Sequence, residues 1–271
     1  MTLREMQLME LDMLKVILPI LEENNLRYYM LGGTFLGAIR HKGFIPWDDD
    51  IDIGMPRPDY EKFISIAEST LPSNLLVKDF KSDDAFKNYF AKLFNVNVPL
   101  TRSDNINSNT ETYLWIDIFP LDGMPNGKIR MKLHKFHLLY RRLMLQYSKF
   151  YTGVNIKKKR SSLEKLLITF GYLFTKFIHL NTNKQLHKLD KVLTKYTYEN
   201  SNNVVNFMGA YKFKEMFPKK LYEDAEFYDF EDTQLKAPKD YDTVLRQLYG
   251  EYMNPPPENQ RFSHSVSTSE N

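Results

Sequence analysis

Acidic residues cluster in the run Asp48-Asp49-Asp50-Ile51-Asp52-Ile53, where Asp50 and Asp52 alternate with isoleucines. On a β-strand, side chains two positions apart share a face, so these two carboxylates would project together while Ile51 and Ile53 enter the core. Adjacent like charges are costly to hold unless a cation neutralises them, and hard oxygen ligands select magnesium or manganese. A phosphate-bearing substrate would complete such an ion's shell. An isolated aspartate run is often just an acidic surface turn; the alternating isoleucines argue for a strand here. Asp48 joins the same face if the strand starts early, where it would hold a water or a hydroxyl.

Two further groups could act at the same point. Leu31-Gly32-Gly33-Thr34 reads as a glycine turn from a strand into a helix, and such a turn exposes backbone N–H groups that suit a phosphate. It lacks the Gly-Lys-Ser/Thr ending of a P-loop, and taken alone it is more often a plain tight turn. Asp117 alternates with Tyr113, Trp115 and Phe119, an apolar setting in which a carboxylate needs a partner unless it lies on a solvated edge strand. A metal or an active-site proton would supply that partner.

These residues need a scaffold of mixed helices and strands. Met6, Met9, Met13, Val16, Ile17 and Ile20 recur at helical spacing, and turn formers from Pro19 to Asn25 close that helix. A short strand over 27–31, a helix over 34–40, an alternating strand over 50–55 and a helix over 59–70 follow, with Pro56 and Pro58 as breaks. Strands are predicted near 75–80, 89–95 and 112–119, and short helices over 207–217 and 241–249 flank an acidic stretch at 223–232. The division expected is a catalytic core over 1–125, a basic helical insertion over 126–200, a segment over 201–262 that packs on the core, and a disordered tail over 263–271.

The chain has 271 residues, 42% of them hydrophobic and 26% charged, which excludes a largely disordered protein. It has no cysteine, which excludes disulfides, thiolate metal sites and cysteine nucleophiles, and a cytoplasmic setting is expected. The first 25 residues lack a secretory signal's apolar core, and the longest apolar stretch, 166–175, is about half a membrane span. The net charge of +3 conceals a block from Lys128 to Lys176 with thirteen Lys or Arg against Glu164 alone. Such a block suggests an anionic partner, or else a solvated helix face. Within it, Leu163, Leu166, Leu167, Phe170, Leu173, Phe174 and Phe177 share one helical face, the build of a helix lying on the inner face of an anionic membrane. No nucleic-acid-binding module is found, and no nucleic-acid partner is expected.

The run LGGTFLGAIRHKGFIPWDDDIDIGM, residues 31–55, resembles the signature of the LicD family, whose members include bacterial phosphocholine transferases and, more distantly, fukutin-type polyol-phosphate transferases. WIDIFPLDG, residues 115–123, is similar to the family's second block, and Gly209-Ala210-Tyr211, Phe230-Glu231, Ala237-Pro238, Leu248-Tyr249-Gly250 and Arg261 to its C-terminal pattern. The resemblance implies an α+β, nucleotidyltransferase-like core sheet with flanking helices. It implies donor-phosphate binding by Gly32, Gly33 and Thr34, with Arg40 and Lys92 at further matching positions, and catalysis or Mg2+ (or Mn2+) binding by Asp50, Asp52 and Asp117. Whether Asp117 orients the acceptor, takes its proton or completes the metal shell stays open. Asp48 is the candidate for a water or acceptor hydroxyl.

The activity implied is transfer of a phospho-alcohol, phosphocholine first and glycerol or ribitol phosphate next, from a CDP-linked donor. The acceptor implied is a cell-surface glycan precursor such as teichoic acid, capsule or lipopolysaccharide. The cysteine-containing zinc loop of the larger animal relatives has no counterpart here, and His264 stands beside Ser265 where a histidine pair is expected, so no role is assigned to it. Two other readings remain: a nucleotidyltransferase that moves the nucleotide itself to a small molecule or RNA, and a noncatalytic membrane- or nucleic-acid-binding protein. The second gives no reason for the alternating acids.

Overall fold

The computed structural model of the chain describes residues 1–104, 108–149 and 180–258, together with 166, 169, 171, 261 and 266–268. Lys157, Lys158, Lys159, Arg160, His264 and all of the apolar face expected over 163–177 except Leu166 lie outside the described residues.

Helix α1, Leu3–Glu23, begins at a capping box in which the Thr2 hydroxyl accepts from the Glu5 N–H and the Glu5 carboxylate accepts from the Thr2 N–H. Its stripe of Met6, Met13, Leu14, Ile17 and Leu21 is buried in the main core. Pro19 lies inside this helix instead of ending it. Ile17 and Leu21, both buried, hold the helix together across the hydrogen bond that proline cannot donate.

The chain continues through β1 (Tyr29–Met30), α2 (Gly32–His41), β2 (Asp52–Pro56), α3 (Arg57–Thr70), β3 (Leu75–Lys78), β4 (Ala91–Asp104) and β5 (Ser108–Met124). Then come α4 (Lys128–Ser148), α5 (Thr182–Leu193), β6 (Asn203–Val205), β7 (Met216–Pro218) and α6 (Lys219–Glu223). The last elements are β8 (Ala225–Phe230), β9 (Thr233–Pro238), α7 (Tyr241–Tyr249) and β10 (Val266–Thr268). The class is α+β, with one mixed sheet and helices around it.

The main sheet runs β1-β2-β5-β4-β10, with β3 also on β4, β6 on β5 and β7 on β6. Strands β2 and β5 pair in parallel, whereas the other pairings of this sheet are antiparallel. Strand β5 is therefore central, which is why Leu114, Ile116, Ile118 and Leu121 are all fully buried. Two local expectations change. The helix expected over 207–217 is a 3-10 turn, Lys212–Glu215, followed by β7, and the acidic stretch after residue 223 forms β8 of a two-stranded hairpin with β9. Phe230 and Leu235 of that hairpin are buried in the main core, so burial of their side chains overrides the polar composition around them.

A second apolar cluster joins α4 and α5 through Leu138, Leu145, Leu186 and Leu189 to Val205 and Phe207. A buried polar network anchors it to the sheet. Arg57 at the start of α3 donates to both oxygens of Asp122 on β5, at 2.7 and 2.8 Å, and to the Tyr89 hydroxyl, which donates to Asp190 of α5 at 2.9 Å.

Candidate active site

Strand register builds the acidic centre. In the parallel pair β2/β5, Asp52 stands opposite Asp117, while Asp50 lies in the extended segment just before β2. Carboxylate oxygens of Asp50, Asp52 and Asp117 come within 4.8 Å of one another. Asp48 closes a turn through Pro46 and Trp47, its N–H donating to the Ile45 carbonyl at 2.9 Å, and Asp48 and Asp49 form a second such group with Asp50. The strand itself starts at Asp52, two residues later than the alternation predicts, so Asp48 reaches the site from the turn and not from a strand face.

Helix α2 closes the other side. Leu31 is its extended N-terminal cap and Gly32-Gly33 form its first turn, so the glycines belong to the helix instead of preceding it. Gly32 has φ of +48°, a left-handed conformation in which a side chain is strained, and a Cβ there would meet Asp52 Oδ2 at 3.1 Å. At Gly33 a Cβ would stand 2.2 Å from Asp48 Oδ2. Both glycines thus let the acids approach the helix N-terminus, where the helix dipole favours negative charge. Thr34 is buried, and its hydroxyl accepts from the Asp52 N–H at 2.8 Å, locking helix and strand together.

The acids open onto a cavity of about 660 Å³ lined by Gly32, Gly33, Arg40, Trp47, Asp48, Asp50, Asp52 and Asp117. Thr34 and Lys92, expected at donor phosphates, do not line it. The Lys92 ammonium instead pairs with Asp117 Oδ1 at 2.6 Å and sits 4.2 Å from the centre of the Trp115 ring. Arg40 does face the cavity, with its Nη1 donating to the Tyr252 carbonyl at 2.7 Å and its guanidinium 6.0 Å from the Trp47 ring centre. The guanidinium of Arg261 lies 4.5 Å from the same ring, returning the late segment to the site.

Burial, Asp50 and Asp117, in that order, hold the Asp52 carboxyl well above the usual carboxylate range. A divalent cation placed among these oxygens would remove the repulsion and favour the ionised form, so the donor set fits a hard metal ion. Two further acids, Glu10 and Glu215, escape the sequence reading, and Tyr249 entered it only within the late Leu248-Tyr249-Gly250 pattern. Glu10 of α1 is buried, and burial first, then Asp50 and Asp49, raise its carboxyl well above the usual range. An acid on the apolar stripe of an amphipathic helix was its only signal. Glu215 takes hydrogen bonds from Asn206 Nδ2 and the Tyr211 N–H, both at 2.7 Å, and burial pushes its carboxyl up to about 7. Tyr249 lines the cavity with its ring 5.5 Å from that of Tyr211, and its hydroxyl would lie 3.8 Å from a Cβ on Gly32. Glu215 and Tyr249 lie 163 and 197 residues beyond Asp52 and 98 and 132 residues beyond Asp117, and no spacing rule connects them.

The LicD/FKTN/FKRP nucleotidyltransferase domain matches residues 25–152. The lipopolysaccharide cholinephosphotransferase LicD of Haemophilus influenzae is 30% identical over 98% of this chain and 96% of its own length. The chain belongs to the LicD family. Shorter similarity extends to the ribitol 5-phosphate transferase FKRP of Homo sapiens and of Mus musculus, each 44% identical over 41 residues, 15% of this chain and 8% of theirs.

Proposed function

We propose that the protein transfers a phospho-alcohol from a CDP-linked donor to a cell-surface glycan precursor, with phosphocholine as the first choice and glycerol or ribitol phosphate as alternatives. The observation that carries this reading is the convergence of Asp50, Asp52 and Asp117 at a cavity that also holds the α2 N-terminus. Similarity over nearly the full length to a cholinephosphotransferase supports the choice of alcohol.

In this reading the α2 N-terminus at Gly32 and Gly33 and the Arg40 guanidinium bind the donor's diphosphate. Asp50 and Asp52 would hold Mg2+ or Mn2+, with Asp117 within reach of the same ion; when bound, the ion supplies charge neutralisation at the transferred phosphorus. Asp117, held by Lys92, orients the acceptor hydroxyl and receives its proton. Asp48 binds that hydroxyl or a water beside it. The acceptor oxygen forms a bond to phosphorus, the bond from phosphorus to the cytidine monophosphate oxygen breaks, and cytidine monophosphate leaves with the electron pair. Positioning and electrostatics do most of the work in such transfers.

The test offers the protein a panel of CDP-choline, CDP-glycerol and CDP-ribitol with magnesium and glycan acceptors, and measures nucleotide release. Cytidine monophosphate released only when acceptor is present supports the proposal. Release of pyrophosphate from a nucleoside triphosphate, with the nucleotide joined to the acceptor, would replace it with nucleotide transfer.

A further inference from the structure

Helix α4 presents a surface that the active site does not use. At about 100° per residue, Ile129, Leu133, Phe136 and Tyr140 fall within about 60° of one another around the helix. Their exposures are 76%, 67%, 73% and 45%, whereas His134, Leu138 and Leu145 on the opposite side are buried. Lys128, Lys132 and Lys135 border the apolar stripe on one side and Arg130, His137 and Arg141 on the other, and the helix contains no acid. Isolated exposed apolar residues are ordinary on a surface; a contiguous stripe between two rows of bases is an interaction surface.

We propose that this face of α4 seats the protein on an anionic lipid surface. Ile129, Leu133, Phe136 and Tyr140 enter the boundary between headgroups and acyl chains, and the flanking bases meet lipid phosphates. Charge selects this occupant over a second copy of the chain, because apposed stripes would set the five bordering Lys or Arg of one α4 against the same five of the other with no acid between them. The stripe is about 16 Å long, so it lies along a membrane and does not cross one. Among the described residues, no helix is long and apolar enough to cross. The same helix is tied to the cavity: Arg142 Nη1 donates to the Phe207 carbonyl at 2.6 Å, and the adjacent Asn206, Met208 and Gly209 line the cavity wall. Arg142 is on the side of α4 away from the stripe, so seating α4 on lipid holds that wall across the helix, about 10 Å from the membrane surface. The use of this, access to lipid-linked acceptors, rests on the transfer reading, whereas the docking itself does not.

The test is cosedimentation of the full chain with vesicles of phosphatidylglycerol and phosphatidylcholine or of phosphatidylcholine alone. One variant carries Ile129→Ser, Leu133→Ser and Phe136→Ser; another carries Lys128→Glu, Arg130→Glu and Lys132→Glu. Wild type is expected to pellet with the anionic vesicles at low salt and to be released as salt screens the charges. The charge-reversed variant should lose at least about 100-fold in partition, a factor of about five for each base, and the serine variant should lose at least tenfold. All the altered side chains in the serine variant are exposed, so its melting temperature should match wild type. Equal pelleting of wild type and both variants overturns the proposal, as does no binding to anionic vesicles. A dimer that the serine variant abolishes, without vesicle binding, would assign the face to a second copy. A chain that releases cytidine monophosphate with a soluble acceptor yet ignores vesicles refutes the docking alone; one that binds vesicles but turns over no donor refutes only the transfer.

Discussion

Lys92 Nζ lies 2.6 Å from Asp117 Oδ1, and the two residues face each other across the antiparallel pair β4/β5. On its other flank Asp117 is the register partner of Asp52 across the parallel pair β2/β5. One carboxylate thus stands between an ammonium and the paired acids, fixed by backbone register on both sides. Lys92, expected at a donor phosphate, spends its charge on this pair in the structure.

Replacing Lys92 with Met should therefore lower kcat by on the order of 100-fold while the KM for donor moves little, because positioning is lost and donor contacts are kept. Asp117→Asn should lower kcat by about 100-fold to 10,000-fold, the range for a lost general base. Steady-state kinetics on both variants checks this. A large rise in donor KM at unchanged kcat for the Lys92 variant would mean that it binds phosphate directly.

Magnesium should stabilise the protein. At a hundredfold excess over its Kd, a single bound ion contributes about 2.7 kcal/mol, which raises Tm by about 5 °C in a chain of this size. Asp50→Asn and Asp52→Asn should each abolish transfer and the magnesium-dependent shift, and Asp52→Asn should also raise Tm without metal by removing a half-buried carboxyl crowded by Asp50 and Asp117. Differential scanning calorimetry with and without magnesium measures both, and an unchanged shift in either variant removes that residue from the metal site.

Removing one member of the buried Arg57–Asp122 pair should be costly. Arg57→Met leaves Asp122 without its bidentate partner in a buried site and is expected to destabilise by about 3–5 kcal/mol. The double variant Arg57→Met with Asp122→Leu should recover part of that loss. Urea unfolding of the two variants decides it, and additive losses would show that the two side chains do not act as a pair.

His134 supplies a pH dependence. Burial first, then Lys195, pushes its imidazole down to about 4, and the ring meets Tyr196 edge-on at 4.8 Å. The folded state therefore keeps this residue neutral over a range where the unfolded chain binds a proton. The stability it confers is fully present above about pH 6.5 and declines as the pH falls toward 4. Urea unfolding at pH 7 and pH 5 should show a smaller loss for His134→Phe than for wild type; an equal loss would assign the acid sensitivity elsewhere.

Local patterns reach a definite distance into this protein. Period-two alternation made Asp50 and Asp52 legible as a pair, and alternation around Asp117 marked it as a carboxylate in an apolar setting that needed a partner. Helical periodicity made α1, α3 and α7 legible, because repeating apolar residues on one face report burial directly. Composition misled at β8, where acidic residues surround a buried Phe230, and proline misled at residue 19, where buried neighbours outweigh one missing hydrogen bond.

Legible from the chain alone were which side chains carry charge, which faces alternate, and that a glycine turn joins a short strand to a helix; these are properties of neighbours along the chain. The fold alone brings Asp117 to Asp52 in parallel register, pairs Lys92 with Asp117, and gathers Glu10, Glu215 and Tyr249 around the same acids. Strand order and helix docking create these contacts by burying apolar surface between segments distant in sequence. No spacing along the chain encodes the distance between residues that meet only through that burial.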